Sequence, residues 1–590
     1  MSDQVTRIFD LLTGYRDRNP EVGVALAGKV DGKWITWSPE QYQQQADLLS
    51  RGLCSLGIKK GDNVATIIRN CPEWNFFDMA IQQIGAVQVP IYPTISESNY
   101  ANIFKEAEPG VIVVSDQETW ERIRRVVEQL EKKPAVYSID PVEGLSHWTE
   151  LRDLGEKFED CNLEELRRQV SGDDVASIIY TSGTTGNPKG VMLTHSNFIH
   201  NFKAASDILS RNPVKTALSF LPLCHVYERM INYMYQYDGI TVYYAESIDK
   251  LRDNLKEVQP EFFCAVPRVI EKTYDKLVRT GRGLSWVKKQ LFFWALHLAH
   301  RFDFYKLRNP FYRLQHKIAD KLVYKKWREA FGGRLEVIVS GGATLNHRLA
   351  RTFWAAGIKI MEGYGLTETS PVIAVSNFEP GGVMFGTVGP VMPGIELSFA
   401  PDGEILTKGP CLMKGYYKHP ELTAEVIDQD GWFHTGDIGE LIDGKYLKIT
   451  DRKKEIFKTS GGKYIAPQVI ENKFKESPFI ENIIVLGENR QFTSALIVPN
   501  FEHLESWCAV KNHPYTSPED AVRDKRIIDR IAREVELANE SLDHIEKVKK
   551  FRLLSQSWSV ETGELSPTLK LRRKVIKEKY AELIGEIYSD

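Results

Sequence analysis

The eleven residues Tyr180-Thr181-Ser182-Gly183-Thr184-Thr185-Gly186-Asn187-Pro188-Lys189-Gly190 constrain this chain more than any other stretch. Residues 175–180 upstream and 190–194 downstream are short and apolar, with β-branched members, so each is expected as a strand. Between them lies a loop with almost no bulk, four hydroxyls and one lysine. Glycines let backbone N–H groups approach a ligand closely, and hydroxyls with an ammonium suit phosphate oxygens. A polar surface hairpin is the plain alternative, but small and hydroxylated residues this dense, ahead of Pro188-Lys189-Gly190, favour a phosphate loop. It is not a Walker loop, which needs Gly before its lysine and Ser or Thr after it. Gly363-Tyr364-Gly365-Leu366-Thr367-Glu368 is no dinucleotide fingerprint either, because Glu368 stands where a third glycine belongs.

At 590 residues the chain exceeds what one core holds, so two or more domains are expected. A formal net charge of -3 gives no sign of nucleic-acid binding. Seven cysteines stand singly at 54, 71, 161, 224, 264, 411 and 508, without disulfide or zinc spacing, which points to a reducing cytoplasm. The first residues show no secretory signal, and no apolar run approaches the length of a membrane span.

Up to about residue 170, helical spacing over 42–56 gives way to short apolar strands at 63–68, 86–91 and 110–114. Such alternation predicts a mostly parallel sheet covered on both faces. Ser196 or Asn197 is placed to cap a helix running to Leu209. Composition alone reads His225, in Leu221-Pro222-Leu223-Cys224-His225, as a core histidine. Residues 286–305 gather aromatics with Lys288 and Lys289; they either lie in a bilayer interface or fill an interior or an apolar tunnel. A strand at 334–340, the turn Gly341-Gly342-Ala343, a helix at 346–356 and a strand at 358–362 form a strand–helix–strand unit. Its loops emerge together at the carboxyl edge, where ligands bind. Glycine backbone beside a flat ring suits a purine, while a hydroxyl and a carboxylate suit phosphate and Mg²⁺. From 383 the texture turns antiparallel, with hairpin turns at Asp402-Gly403 and Asp443-Gly444. Asp437 can accept from a ribose diol or serve only its turn. The charged run 451–455 falls where a linker belongs, before helices at 467–475 and 522–545 and strands at 482–486 and 494–498.

Position for position, the 180–190 stretch resembles the phosphate loop of the adenylate-forming enzymes, which include acyl-CoA synthetases, luciferases and peptide-synthetase adenylation domains. Tyr364-Gly365-Leu366-Thr367-Glu368-Thr369 is a second specific match, and Val266-Pro267-Arg268-Val269 with Glu271-Lys272 is similar to the long-chain acyl-CoA synthetases. The resemblance implies an α/β fold: a large N-terminal domain of mostly parallel helix-covered sheets with an antiparallel β subdomain (1–450), a hinge (451–454), and a small mobile α+β C-terminal lid (455–590). It also implies an ATP and AMP site. Thr181, Ser182, Gly183, Thr184, Thr185 and Lys189 would hold phosphates, and Gly341, Gly342, Ala343, Glu362, Gly363, Tyr364 and Gly365 would surround adenine. Thr367 would touch the α-phosphate, Glu368 hold Mg²⁺, and Asp437 and Arg452 bind ribose. His225 would flank the acyl carboxylate, Lys454 act as pivot, Gly461 and Gly462 line the CoA passage, and Lys570 serve catalysis. Leu569 stands where members often carry Gly before this lysine, although Pro-Thr-x-Lys-Leu is the long-chain pattern.

The implied reaction is ATP-dependent conversion of a long-chain fatty acid to acyl-adenylate and then acyl-CoA. The rivals are an acyl-AMP ligase serving a carrier protein, a luciferase-type oxidase, and a lipid binder without turnover. Expected partners are fatty acid, ATP and CoA, with no nucleic acid; membrane contact through 286–305 and a homodimer stay open. The expected place is the cytoplasm or the inner membrane surface.

Overall fold

Two eight-stranded sheets carry the larger part of the molecule. The computed structural model describes residues 5–182, 188–304, 306–461, 463–559, 562–566 and 571–589, with Ser182 given by its backbone. One sheet runs Gly415–Tyr416, Pro188–Thr194, Val175–Ser182, Val87–Pro90, Asn63–Ile67, Val111–Val114, Ala135–Ser138, Ser146–His147. It is parallel except at its first three strands. The other runs Val372–Val375, Lys359–Gly365, Val337–Ser340, Phe262–Ala265, Thr216–Ser219, Thr241–Tyr244, Leu26–Val30, Lys33–Trp37, and is antiparallel only at its two edges. Apolar strands alternating with helices specify this parallel arrangement, as expected.

Glu396–Phe399, Glu404–Lys408, Phe433–Ile442 and Tyr446–Arg452 form an antiparallel sheet whose hairpins turn at Gly403 and Asp443-Gly444, all with positive φ. Beyond it, Ile480–Leu486, Ser494–Pro499 and Lys550–Leu553 make a three-stranded sheet with its own apolar core around Ile483, Ile497, Leu504 and Ile531.

The helix after the 180–190 stretch is His195–Leu209, and its cap is Thr194 rather than Ser196 or Asn197. Thr194 Oγ1 accepts from the Asn197 N–H while the Asn197 side chain accepts from the Thr194 N–H, so the helix starts two to three residues earlier. Helix Trp286–His300 turns Phe292, Ala295, Leu296, Leu298 and Ala299 into a core with Tyr324 and Trp327, so its aromatics fill an interior. Trp286 and Val287 remain exposed. Among the described residues no helix is long and apolar enough to cross a membrane.

Between the two large sheets sits an ion pair with no exposure, Arg229–Asp78 at 2.5 Å. Arg229 also donates to Tyr233 and Ser177 at 2.7 Å, and Tyr233 donates to Asp78 at 2.7 Å. The guanidinium lies 5.3 Å from the rings of Trp74 and Phe198. Removing one partner strands a buried charge. Arg229→Met is expected to destabilise the large unit by about 3–5 kcal/mol, read as a lowered midpoint in urea unfolding followed by tryptophan fluorescence.

Candidate functional site

The parallel unit Val337–Ser340, His347–Ala355, Lys359–Gly365 brings the Gly341-Gly342 and Gly363-to-Glu368 segments to one edge, where a cavity of about 1480 Å³ opens. Gly341 sits at a close approach: a Cβ there would meet the Tyr227 ring at 3.2 Å, and the ring would have to yield by a few tenths of an ångström. A Cβ on Gly365 would strike the Pro371 carbonyl at 1.7 Å. Thr181, Lys189, His225, Gly341, Gly342, Gly363, Tyr364, Gly365, Thr367, Glu368, Asp437, Arg452 and Lys454 all line this one cavity. Glu362 and Ala343 do not. Along an extended strand successive side chains alternate faces, and Glu362 falls opposite Met361 and Gly363, buried where desolvation pushes its carboxyl up to about 8. Gly461 lies away from the cavity. Gly183, Thr184, Thr185, Gly462 and Lys570 lie outside the described residues.

Hydroxyl donors organise the acidic side chains of the rim. Tyr364 donates to Asp437 at 2.8 Å, and Arg452, facing Asp437 across the antiparallel pair, stands 3.3 Å from it. Tyr416 donates to Glu368 at 2.9 Å, and the Lys189 ammonium lies 5.1 Å from the centre of the Tyr416 ring. Burial raises the Glu368 carboxyl, while the Tyr416 hydroxyl and the Lys189 charge pull the other way. Tyr416 escaped the sequence reading. Its strand Gly415–Tyr416 is two residues long and joins Pro188–Thr194 from far along the chain; the only local sign was an aromatic pair after a glycine. Among the described residues no three His, Cys, Asp or Glu side chains gather as a metal cluster. Glu368 would suit Mg²⁺, which commonly takes one or two carboxylates and completes its shell with substrate phosphates and water.

His225 caps helix Val226–Tyr237, its Nδ1 accepting from the Tyr227 N–H at 3.2 Å. The neutral ring therefore carries its proton on Nε2, as a donor. One turn on, Glu228 is 1 % exposed; Ser219 donates to its Oε1 at 2.6 Å, and Oε2 has no partner among the described residues. Desolvation pushes this carboxyl up to about 8. Behind His225 an apolar arm runs between Ala205, Leu209, Met230, Met234, Val337 and Val339. Ser566, Leu571, Arg572, Arg573 and Lys574 of the C-terminal region close the opposite side. Arg573 is anchored to Glu455 at 2.7 Å and Glu471 at 2.6 Å. That region also rests on helix Pro267–Arg282 through Arg268–Glu481, Arg279–Glu502 and Arg282–His503.

A family model described as AMP-binding enzyme matches residues 17–417, and one for the AMP-binding enzyme C-terminal domain matches 454–590. A long-chain-fatty-acid–CoA ligase from Mycobacterium tuberculosis is 35% identical, covering 95% of this chain and 93% of its own length. Long-chain-fatty-acid–CoA ligase 1 from Cavia porcellus is 32% identical, over 94% and 82%. In fold, the adenylation domain of a carboxylate reductase from Mycobacterium chelonae superposes with a TM-score of 0.76 at 22% identity, over 100% of this chain and 92% of that one. A Mycobacterium tuberculosis fatty acyl CoA synthetase gives 0.64 at 20%, over 99% and 100%.

The buried Glu228 carboxyl makes stability pH-dependent. Its folded value of about 8 lies above the ordinary 4.5, so between these values the folded chain keeps a proton that the unfolded chain has lost. Stability is then lost as pH rises through that window. Glu228→Gln, neutral at every pH, should gain in melting temperature over the parent between pH ~5 and ~8.5. An offset between the two proteins that is the same at both pH values would contradict this.

Proposed function

The chain belongs to the AMP-binding enzyme family, and from that premise we propose that it joins a long-chain fatty acid to CoA at the expense of ATP. The products are acyl-CoA, AMP and pyrophosphate. The observation that carries this reading is the continuity of the cavity: a rim of Lys189, Thr367, Glu368, Asp437 and Arg452 opens directly into an apolar arm. A nucleotide and a fatty chain can meet there end to end.

A fatty carboxylate is already ionised at neutral pH, so it needs no base to attack the α-phosphorus. It needs relief from the repulsion between two anions. In this reading Tyr364 and the Gly341–Gly342 and Gly363–Gly365 backbone hold adenine, Asp437 and Arg452 the ribose, and Lys189 with Thr367 the phosphates. His225 donates from Nε2 to the fatty carboxylate. Glu368 holds Mg²⁺, which when bound neutralises phosphate charge. The carboxylate oxygen bonds to the α-phosphorus and pyrophosphate leaves. The CoA sulfur then bonds to the acyl carbon, the carbon–oxygen bond to AMP breaks, and AMP departs with the electron pair. A free thiol pKa of about 8.5 makes a modest bias toward thiolate sufficient.

The two halves have different needs, which suits a lid that moves. We assign 1–450 and 455–590 as its bodies, Lys454 as the pivot, Lys570 to adenylation, and Gly461–Gly462 to the pantetheine passage. Ser566 and Leu571, on either side of the Lys570 segment, both line the cavity, which supports the second of these roles. ATP–pyrophosphate exchange over a fatty-acid panel, with and without CoA, tests the reading. Exchange together with thioester is expected; exchange without thioester would favour a carrier-protein acceptor, and no exchange a lipid binder. Lys570→Ala should lower exchange ~100-fold or more yet spare thioester formation from supplied acyl-adenylate.

A membrane contact is proposed on a different face from the one expected at 286–305. Helix Pro310–Ala319 and the turn after it expose Phe311, Leu314, Ile318 and Leu322 along one stripe, Phe311 at 68%. Residues 301–326 carry eight Lys and Arg against two Asp, in a chain of net charge -3. Aromatic and aliphatic residues among cations suit an anionic lipid surface. Flotation with phosphatidylglycerol vesicles should recover the protein, whereas Phe311→Asp with Leu314→Asp should lower recovery ~10-fold, as should neutral vesicles.

A further inference from the structure

The register of the sheet provides a ruler for the apolar arm. Val337 pairs with Lys359 and Val339 with Met361, and Gly341 and Gly363 follow at the rim. Alternation puts Val337, Val339 and Gly341 on one face with Lys359, Met361 and Gly363. All of these line the cavity except Lys359. From Gly341 back to Val337 the floor extends about 13 Å, at ~3.3 Å per residue. Phe262 stands beside Val337 as its register partner, and Leu209, at the end of its helix, lines the cavity as well.

Leu335, two residues before Val337, does not line the cavity, and neither does Lys359. Lys359, next along the same face, bends its ammonium over the ring of Phe378, 5.4 Å from the centroid, and Phe378 lines the cavity. The ammonium is tethered on the other side: it bonds to Asn212 and stands 3.8 Å from Glu336, to which Asn212 donates at 3.0 Å. Immediately outside, Arg211 and Glu379 pair at 2.8 Å, both exposed. Phe378 therefore stands with the cavity on one side and a tethered cation on the other.

Resting on the fatty-acyl reading above, we propose that Phe378, held by Lys359, is the end wall of the acyl arm and the residue that sets how long a chain the protein accepts. A tail that reaches the ring must stop or displace it. With a smaller residue the tail passes on toward the surface between Asn212 and Glu379.

The test is kcat/KM for saturated acids from medium to very long chain. A methylene more or less in an apolar pocket changes kcat/KM by about 10-fold or more. Phe378→Ala should raise the ratio of the longest acid to the medium-chain acid by at least ~10-fold while turnover of the medium-chain acid persists. Phe378→Trp should move the ratio the other way. Lys359→Met, which keeps the bulk but removes the clamp, should raise it less than Phe378→Ala; it carries the test with Phe378→Trp if the alanine variant does not fold. Unchanged ratios in variants that still turn over the medium-chain acid overturn the end wall alone. A parent protein that activates no fatty acid overturns the end wall and the fatty-acyl reading together.

Discussion

The buried Arg229–Asp78 pair fixes how the two large sheets meet. Arg229 lies on helix Val226–Tyr237, Asp78 on helix Pro72–Gln83, and Ser177, which accepts from Arg229, on the strand leading into the 180–190 stretch. His225 caps the first of these helices. The guanidinium thus sets the distance between a donor facing the arm and the strand that delivers the phosphate loop. Replacing both partners together by apolar side chains of similar volume could equal the pair's contribution to stability, since desolvating a charged pair offsets most of its attraction. What an apolar contact lacks is direction: three donor bonds and enclosing rings allow one mutual placement of helix and strand.

Hydroxyls do comparable work at the rim. Asp437 and Glu368 would repel each other and an incoming polyanion, yet each receives a tyrosine proton, from Tyr364 and Tyr416. The donors leave the carboxylates ionisable while fixing the direction of their oxygens, and Lys189 and Arg452 supply compensating charge close by. Such preorganisation has its cost met during folding, when the short strand Gly415–Tyr416 docks beside Lys189.

Loops whose chemistry is local were legible in the sequence. The glycine-rich stretch and the Tyr364-to-Glu368 run declare themselves by residue type over a few positions, Asp437 and Arg452 only through the family resemblance, and the structure brings the described members of all four to one cavity. The parallel sheets were legible for the same reason, since apolar runs between helices have few other folds. Residues meeting only in space were not. Tyr416 reaches Glu368 across 48 positions, and Phe378 meets Lys359 only because the chain turns back along the sheet edge. Nothing local in the sequence set Arg229 apart. The aromatics of 286–300 were ambiguous because a buried helix and an interfacial helix share a composition, and only the packing against Tyr324 and Trp327 decides. The earlier start of helix His195–Leu209 turned on whether Thr194 or Ser196 faced the free N–H groups.

The seam between helix Pro267–Arg282 and the C-terminal region is polar. Arg279–Glu502 is half open to water, with side-chain exposures of 55% and 73%, and Arg268–Glu481 is about a quarter exposed. Exposed pairs of this kind contribute roughly 0–1 kcal/mol each and weaken in salt. A greasy seam would hold more tightly, and would part slowly. Because the same C-terminal region lines the cavity, a seam built this way loosens as salt rises, and ionic strength becomes a dial on how firmly that wall is held.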